Sequence, residues 1–253
     1  MTNPIIPGAE PRSHIGGGQS GALVLHGFTG NPSSMRGVAE ALAAAGFHIE
    51  MPRLPGHGTV IDDILTTRWT DWAAEAEAAY QRLAQRATHI VVVGLSMGGS
   101  LALHLGAEHP EIAGLVCINP VTMPQPVEIT DMLRDLAAGG TPVLPGIGSD
   151  IADPDATESA YEGTPVEPLR SMLIDGIELL SHRYAEMHVR LLLMNSPQDH
   201  VVEPVQAEYL ADRYAGPVER IALERSYHVA TQDYDKELIF DKTVEFASRV
   251  VAH

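Results

Sequence analysis

Residues 89–108 read HIVVVGLSMGGSLALHLGAE. The first part is an apolar run with no polar alternation, as in a strand covered on both faces. The last part places Met97, Leu101 and Leu105 on one face of a helix. Between them stands Gly94-Leu95-Ser96-Met97-Gly98, a G-x-S-x-G at the junction of strand and helix. That context makes the motif a nucleophile elbow. Glycines at 94 and 98 let strand and helix approach closely, and Gly99 extends that allowance. Ser96 then projects its hydroxyl at the C-terminal edge of the sheet, where open α/β sheets bind ligands. The helix N-terminus beneath it favours developing negative charge. Ser96 is the candidate nucleophile.

Outward from this run, more short apolar segments read as buried parallel strands: 22–27, 48–53, 114–119, 189–196 and 218–223. Helical stretches separate most of them, at 35–45, 69–86, 97–108, 204–214 and 236–251. Alternating strands and helices imply a mostly parallel sheet with right-handed crossovers, hence an α/β architecture. The pattern breaks between Pro120 and His188, a stretch rich in Pro and Gly with no clear strand. It is too long for an ordinary loop and reads as an insertion with helices at 128–138 and 168–184. The expected organisation is a core of residues 1–119 and 189–253 with a cap at 120–188.

A serine hydroxyl needs a base, and the base needs an orienting acid. On this kind of sheet the chain order is Ser, acid, His. Of the 12 histidines, His228 follows the last strand in a short loop, ERSYHVA, ahead of the final helix. That puts it at the same sheet edge as Ser96. The acid should leave the end of the preceding strand, and Asp199 is the carboxylate in Pro197-Gln198-Asp199-His200. Glu203 and Asp233 are the nearest substitutes, and an Asp after a Pro is also a common turn former. Oxyanion donors are expected at the N–H of Met97 and at the loop after the first strand of the core, His26-Gly27-Phe28-Thr29-Gly30, where Phe28 is the choice. His26 is expected to brace that loop.

The chain has 253 residues, 33 acidic against 16 basic, for a net charge of −17. So acidic a surface repels phosphate backbones and anionic headgroups, so nucleic acid is not an expected partner. The single cysteine, Cys117, lies in GLVCIN and reads as a buried small residue. Metal-ligand spacing, Walker and dinucleotide motifs are absent, so neither metal nor cofactor is expected. The first residues lack the basic-then-apolar signature of a leader, and no apolar run nears the ~20 residues of a membrane span. A soluble, cytoplasmic protein is expected.

Together, LHGFTGNPSSMR, MPRLPGHGT, GLSMGGSLAL, QDHVV, SYHVAT and the cap stretch IGSDIADPDATESAYEGTP (147–165) resemble the bacterial monoacylglycerol lipases and related small carboxylesterases of the α/β-hydrolase superfamily. The resemblance covers nearly the whole chain and is weakest at 123–146. It implies a cofactor-free hydrolase that splits monoacylglycerol into glycerol and fatty acid under a cap. It carries Ser96, Asp199 and His228 over as the triad, and Phe28 and Met97 as the oxyanion donors. It also implies that Glu158 binds the glycerol hydroxyls and that Ile147 stands near the pocket gate. Apolar cap residues such as Ile129, Met132, Leu133, Met172 and Leu173 would pack on the core or line an acyl tunnel. Transient membrane-surface contact would run through the cap rim. A broad short-chain carboxylesterase with the same site is the alternative reading. A non-catalytic receptor on this fold is a more distant one.

Overall fold

A seven-stranded sheet runs through the molecule in the strand order Arg12–His14, His48–Met51, Ser20–Leu25, His89–Leu95, Gly114–Ile118, Leu191–Asn195 and Val218–Ala222. The computed structural model describes residues 3–146 and 148–252. Elements follow in the order β1 (Arg12–His14), β2 (Ser20–Leu25), α1 (Arg36–Ala44), β3 (His48–Met51), α2 (Ile61–Ile64), α3 (Trp69–Ala84) and β4 (His89–Leu95). Next come α4 (Met97–Glu108), β5 (Gly114–Ile118), α5 (Val127–Ala138), β6 (Val143–Pro145), β7 (Gly163–Pro165), α6 (Val166–Ser171) and α7 (Leu179–Ser181). The chain ends with β8 (Leu191–Asn195), α8 (Val205–Arg213), β9 (Val218–Ala222) and α9 (Lys236–Val251). Every pairing in the large sheet is parallel except β1 with β3.

The apolarity of the inner strands β2, β4, β5 and β8 has a direct cause. Successive side chains point to opposite faces, and both faces are covered. Leu23 and Leu25 of β2, with Ile90 and Val92 of β4, join a cluster with α3, α4 and α8. Their neighbours Ala22, Val24, Val91 and Val93 join a second cluster with α1 and α9. Cys117 is fully buried in the first cluster, and burial holds its thiol protonated.

The described residues of 120–188 contribute no strand to the large sheet. Their Leu133, Val166, Met172, Leu173, Ile177 and Leu180 enter the first cluster, so the segment packs on the sheet's C-terminal edge. Two expectations change here. The segment does hold a small antiparallel pair, β6 with β7. Each strand is only three residues and ends in proline, so neither shows the alternation that marks a strand. The expected helix over 168–184 runs without a break from Val166 to Ser181 but is not regular: α6 passes into a π-helical stretch at Met172–Glu178 and then into α7. At Gly176 a Cβ would meet the Trp69 ring at 2.5 Å, so the widened turn seats that glycine flat against the indole. The antiparallel β1 and the short α2 have no periodicity to announce them.

Candidate active site

Ser96 sits between β4 and α4 with φ 55° and ψ −122°, a backbone region L-residues seldom occupy. Two contacts force this turn. A Cβ on Gly94 would overlap the Gly98 carbonyl, and one on Gly98 would overlap the Leu25 carbonyl. The Ser96 N–H donates to the Ile118 carbonyl at 2.9 Å, which ties the turn to β5. Gly27 lies close beside it, where a Cβ would stand 3.2 Å from the Ser96 Cβ. Strand, loop and helix thus hold the serine at the strand end with no room for slack.

His228 and Asp199 meet in the loops after β9 and β8. His228 Nδ1 lies 2.7 Å from Asp199 Oδ2, with the carboxylate side chain 1% exposed. A buried carboxylate accepts, so Nδ1 carries the proton and Nε2 keeps its lone pair. Asp199 Oδ1 accepts the N–H groups of Val201 and Val202, both at 2.8 Å. The turn-former and the histidine partner are therefore one residue, with one oxygen for each task. The substitutes fall elsewhere. Asp233 is fully buried and accepts the N–H groups of Ala152, Asp153, Tyr227 and Tyr234. Glu203 lines the cavity, while the bond to His228 Nδ1 is made by Asp199.

Ser96, His228, Phe28 and Glu158 line one cavity of about 650 Å³. Met97 is buried at the first position of α4. The first N–H groups of a helix lack intrahelical acceptors. Among the described residues, neither the Met97 nor the Phe28 N–H has an acceptor. His26 braces the Phe28 loop: its Nε2 accepts the Leu54 N–H at 3.1 Å, and its Nδ1 donates to the Gly27 carbonyl at 3.0 Å. Burial pushes its pKa down to about 4, so the ring stays neutral in that bridge.

Glu158 is held over the same loop by backbone contacts. Its own N–H donates to Ser149 Oγ at 3.0 Å. The Tyr161 N–H donates to the Thr29 carbonyl, and the Asn31 side chain donates to the Ser159 carbonyl. These bonds bring Glu158 Oε1 to 2.8 Å from where a Gly30 Cβ would be. Burial pushes its carboxyl up to about 7, and the nearby His228 pulls it down slightly. It is not the solvated loop glutamate that its acidic neighbours suggest. Ile147 lies outside the described residues.

The cavity lining is mixed: Ser96, His228, Glu158 and Asp150 give it polar groups, and Leu133, Leu169, Met172 and Leu173 give it an apolar surface. Ile129 and Met132 line it while standing 38% and 47% exposed, so they flank an opening to solvent. Among the described residues, no group of three or more His, Cys, Asp or Glu could hold a metal ion. Likewise, none of the described helices is long and apolar enough to cross a membrane.

Supporting residues without a sequence signal complete the frame. Asn119, at φ 43°, donates through its side chain to the His228 carbonyl at 2.8 Å and to Ser196 Oγ, and accepts the Ser196 N–H. Asp150 accepts the His228 N–H at 3.1 Å.

The model of the Alpha/beta hydrolase family matches residues 22–241. The thermostable monoacylglycerol lipase of Bacillus sp. (strain H-257) is 40% identical over 252 residues, covering 97% of both chains. The carboxylesterase of Bacillus subtilis (strain 168) is 24% identical, covering 92% of this chain and 94% of its own. A solved structure from LipS and LipT, two metagenome-derived lipolytic enzymes, superposes with a TM-score of 0.91 at 36% identity, covering 97% of this chain and all of that one.

Proposed function

The chain belongs to the alpha/beta hydrolase family and is a carboxylic-ester hydrolase, and from that premise we propose that it cleaves monoacylglycerols through an acyl-Ser96 intermediate. The observation that carries this reading is Glu158, a half-buried carboxylate sharing one cavity with Ser96 and His228. Residues 120–188 serve as the cap. The acyl chain lies among Leu133, Leu169, Met172 and Leu173. The glycerol sits among the polar groups, where an ionised Glu158 accepts hydrogen bonds from its free hydroxyls.

In the first step His228 Nε2 takes the Ser96 proton as Oγ attacks the ester carbonyl. Asp199 stabilises the imidazolium without accepting the proton. The Phe28 and Met97 N–H groups receive the oxyanion, a contribution of about 3–4 kcal/mol per donor in comparable sites. Collapse expels glycerol, which takes the proton from His228. Water, deprotonated by the same nitrogen, then attacks the acyl-serine and releases the fatty acid with Ser96 restored.

Hydrolysis of monoacylglycerols and of a nitrophenyl ester, followed side by side, tests the reading. Turnover of both supports it. Turnover of the nitrophenyl ester with every monoacylglycerol left intact removes the monoacylglycerol assignment and leaves a general carboxylesterase. The exposed apolar residues at the cavity mouth, Ile129 and Met132, are where a lipid surface would hand over substrate, with the enzyme itself in the cytoplasm.

A further inference from the structure

The acid and the base of the proposed triad leave different strands, β8 and β9, so something must fix the spacing of their loops. Asp150, in the cap stretch that lines the cavity, touches both. Its Oδ2 accepts the N–H of His200, the residue after Asp199, and the N–H of His228 itself, each at 3.1 Å. Its Oδ1 accepts from His200 Nδ1 at 2.8 Å, and its carbonyl accepts the Val229 N–H. The side chain is 10% exposed, so these bonds compete little with water. Asp150 is itself held in place, because Asp233 takes the N–H groups of Ala152 and Asp153 with one carboxylate while taking those of Tyr227 and Tyr234. One oxygen of a cap residue thus staples the acid loop to the base.

We propose that Asp150 is a positioning residue: its carboxylate oxygen fixes the His228 backbone against the Asp199 loop, so that Nε2 is aimed at Ser96 only when the cap stretch is seated. The role uses acceptor geometry, because both partners of Oδ2 are neutral backbone amides. An amide oxygen in the same place serves equally well, and the amide NH₂ can donate to His200 Nδ1 once the exposed Nε2 carries the ring proton. A carboxylate displaced by one methylene does not serve. Misplacing a catalytic group by about an ångström costs on the order of a hundredfold in rate. Asp199 and Glu158 also face His228, and neither changes in the variants below.

The proposal rests on Ser96 and His228 being the reacting pair, so fluorophosphonate labelling of the wild type comes first. An unlabelled wild type would remove that reading and the proposal with it. Steady-state hydrolysis of nitrophenyl butyrate by Asp150→Asn and Asp150→Glu then decides, with rates referred to the fraction of protein that labels. Positioning requires D150N to keep kcat within about threefold, while D150E loses roughly tenfold to hundredfold in kcat with KM nearly unchanged. Should D150E fail to fold, D150A, which needs no added space, must show the same loss. The reverse order, with the charge-keeping D150E active and D150N impaired, overturns the proposal. So does wild-type kcat in D150A or D150E.

Discussion

The sheet and the segment 120–188 face one cavity from opposite sides, and they are built on different principles. The sheet holds Ser96 through backbone alone: two glycines with no room for a Cβ, a strained φ, and a hydrogen bond to β5. Nothing there can move without unpacking two apolar clusters. The segment is assembled from short pieces, and side chains reaching for distant backbone groups fasten it down. Asn31 holds Ser159, Asp233 holds Ala152 and Asp153, and Asp150 holds His228. Val127, Met132 and Leu179 of the segment stay 62%, 47% and 63% exposed, a degree of apolar exposure the strands of the sheet do not share. The difference separates two jobs. Under the proposed function, the sheet would fix the chemistry and the segment would decide which ester reaches it.

If that division is right, substitutions on the sheet side should abolish reaction with all esters alike. Ser96→Ala should lower kcat on the order of 10⁵-fold for both monoacylglycerol and nitrophenyl ester, with the melting temperature unchanged. Selective loss of one substrate would break the division. Asp233→Ala attacks the join instead. It leaves four backbone N–H groups without their acceptor, so the protein should lose about 3 kcal/mol or more, readable as a urea midpoint shift. An unshifted midpoint would mean the segment is fastened elsewhere.

In its kinetics Glu158→Gln should change specificity, lowering kcat/KM for monoacylglycerol about tenfold while the nitrophenyl ester is unaffected. Its pH behaviour sharpens the point. The carboxyl is pushed up to about 7 in the folded protein. A raised carboxyl pKa means stability that is complete below the unfolded value and declines as pH rises through about 7. The glutamine variant carries no such penalty. It should melt above the wild type at pH about 8, and the gap should close at pH about 4. A gap of constant size across that range would place Glu158 in water. In the wild type, the preference for monoacylglycerol over nitrophenyl ester should also grow with pH through about 7, since only the monoacylglycerol uses the ionised Glu158. The smallest effect is expected at the cavity mouth. Met132→Gln should raise KM for long-chain monoacylglycerols about threefold and leave short-chain esters alone.

The two regions also differ in how far the sequence discloses them. The apolar runs of β2, β4, β5 and β8 state the sheet directly, because burial on both faces leaves no polar alternation, whereas the edge strand β9 keeps Glu219 and Arg220 exposed and buries none of its residues. The expected strand ends overrun slightly, as at His26 and Gly27, where the chain already turns away from the sheet. G-x-S-x-G marks Ser96 locally, and topology alone brings Asp199 and His228 to the same edge. Glu158 becomes visible only through family resemblance, since an acidic loop residue has no local mark of burial. Asp150 and Asp233 are harder still. Their partners are backbone amides 78 and 81 residues away, and any chain offers those at every position. The β6 and β7 pair hides behind its prolines, and the π-helical turn behind the Trp69 ring that shapes it.

Ser96 as nucleophile and a monoacylglycerol as substrate can be addressed together by a single titration. The protein is treated with increasing fluorophosphonate, the labelled peptide is mapped, and glycerol release from a monoacylglycerol is followed on the same samples. The expected result is label on Ser96, with glycerol release falling in step with occupancy until none remains at full labelling. Label at another residue, or fully labelled protein that still releases glycerol, would contradict the account.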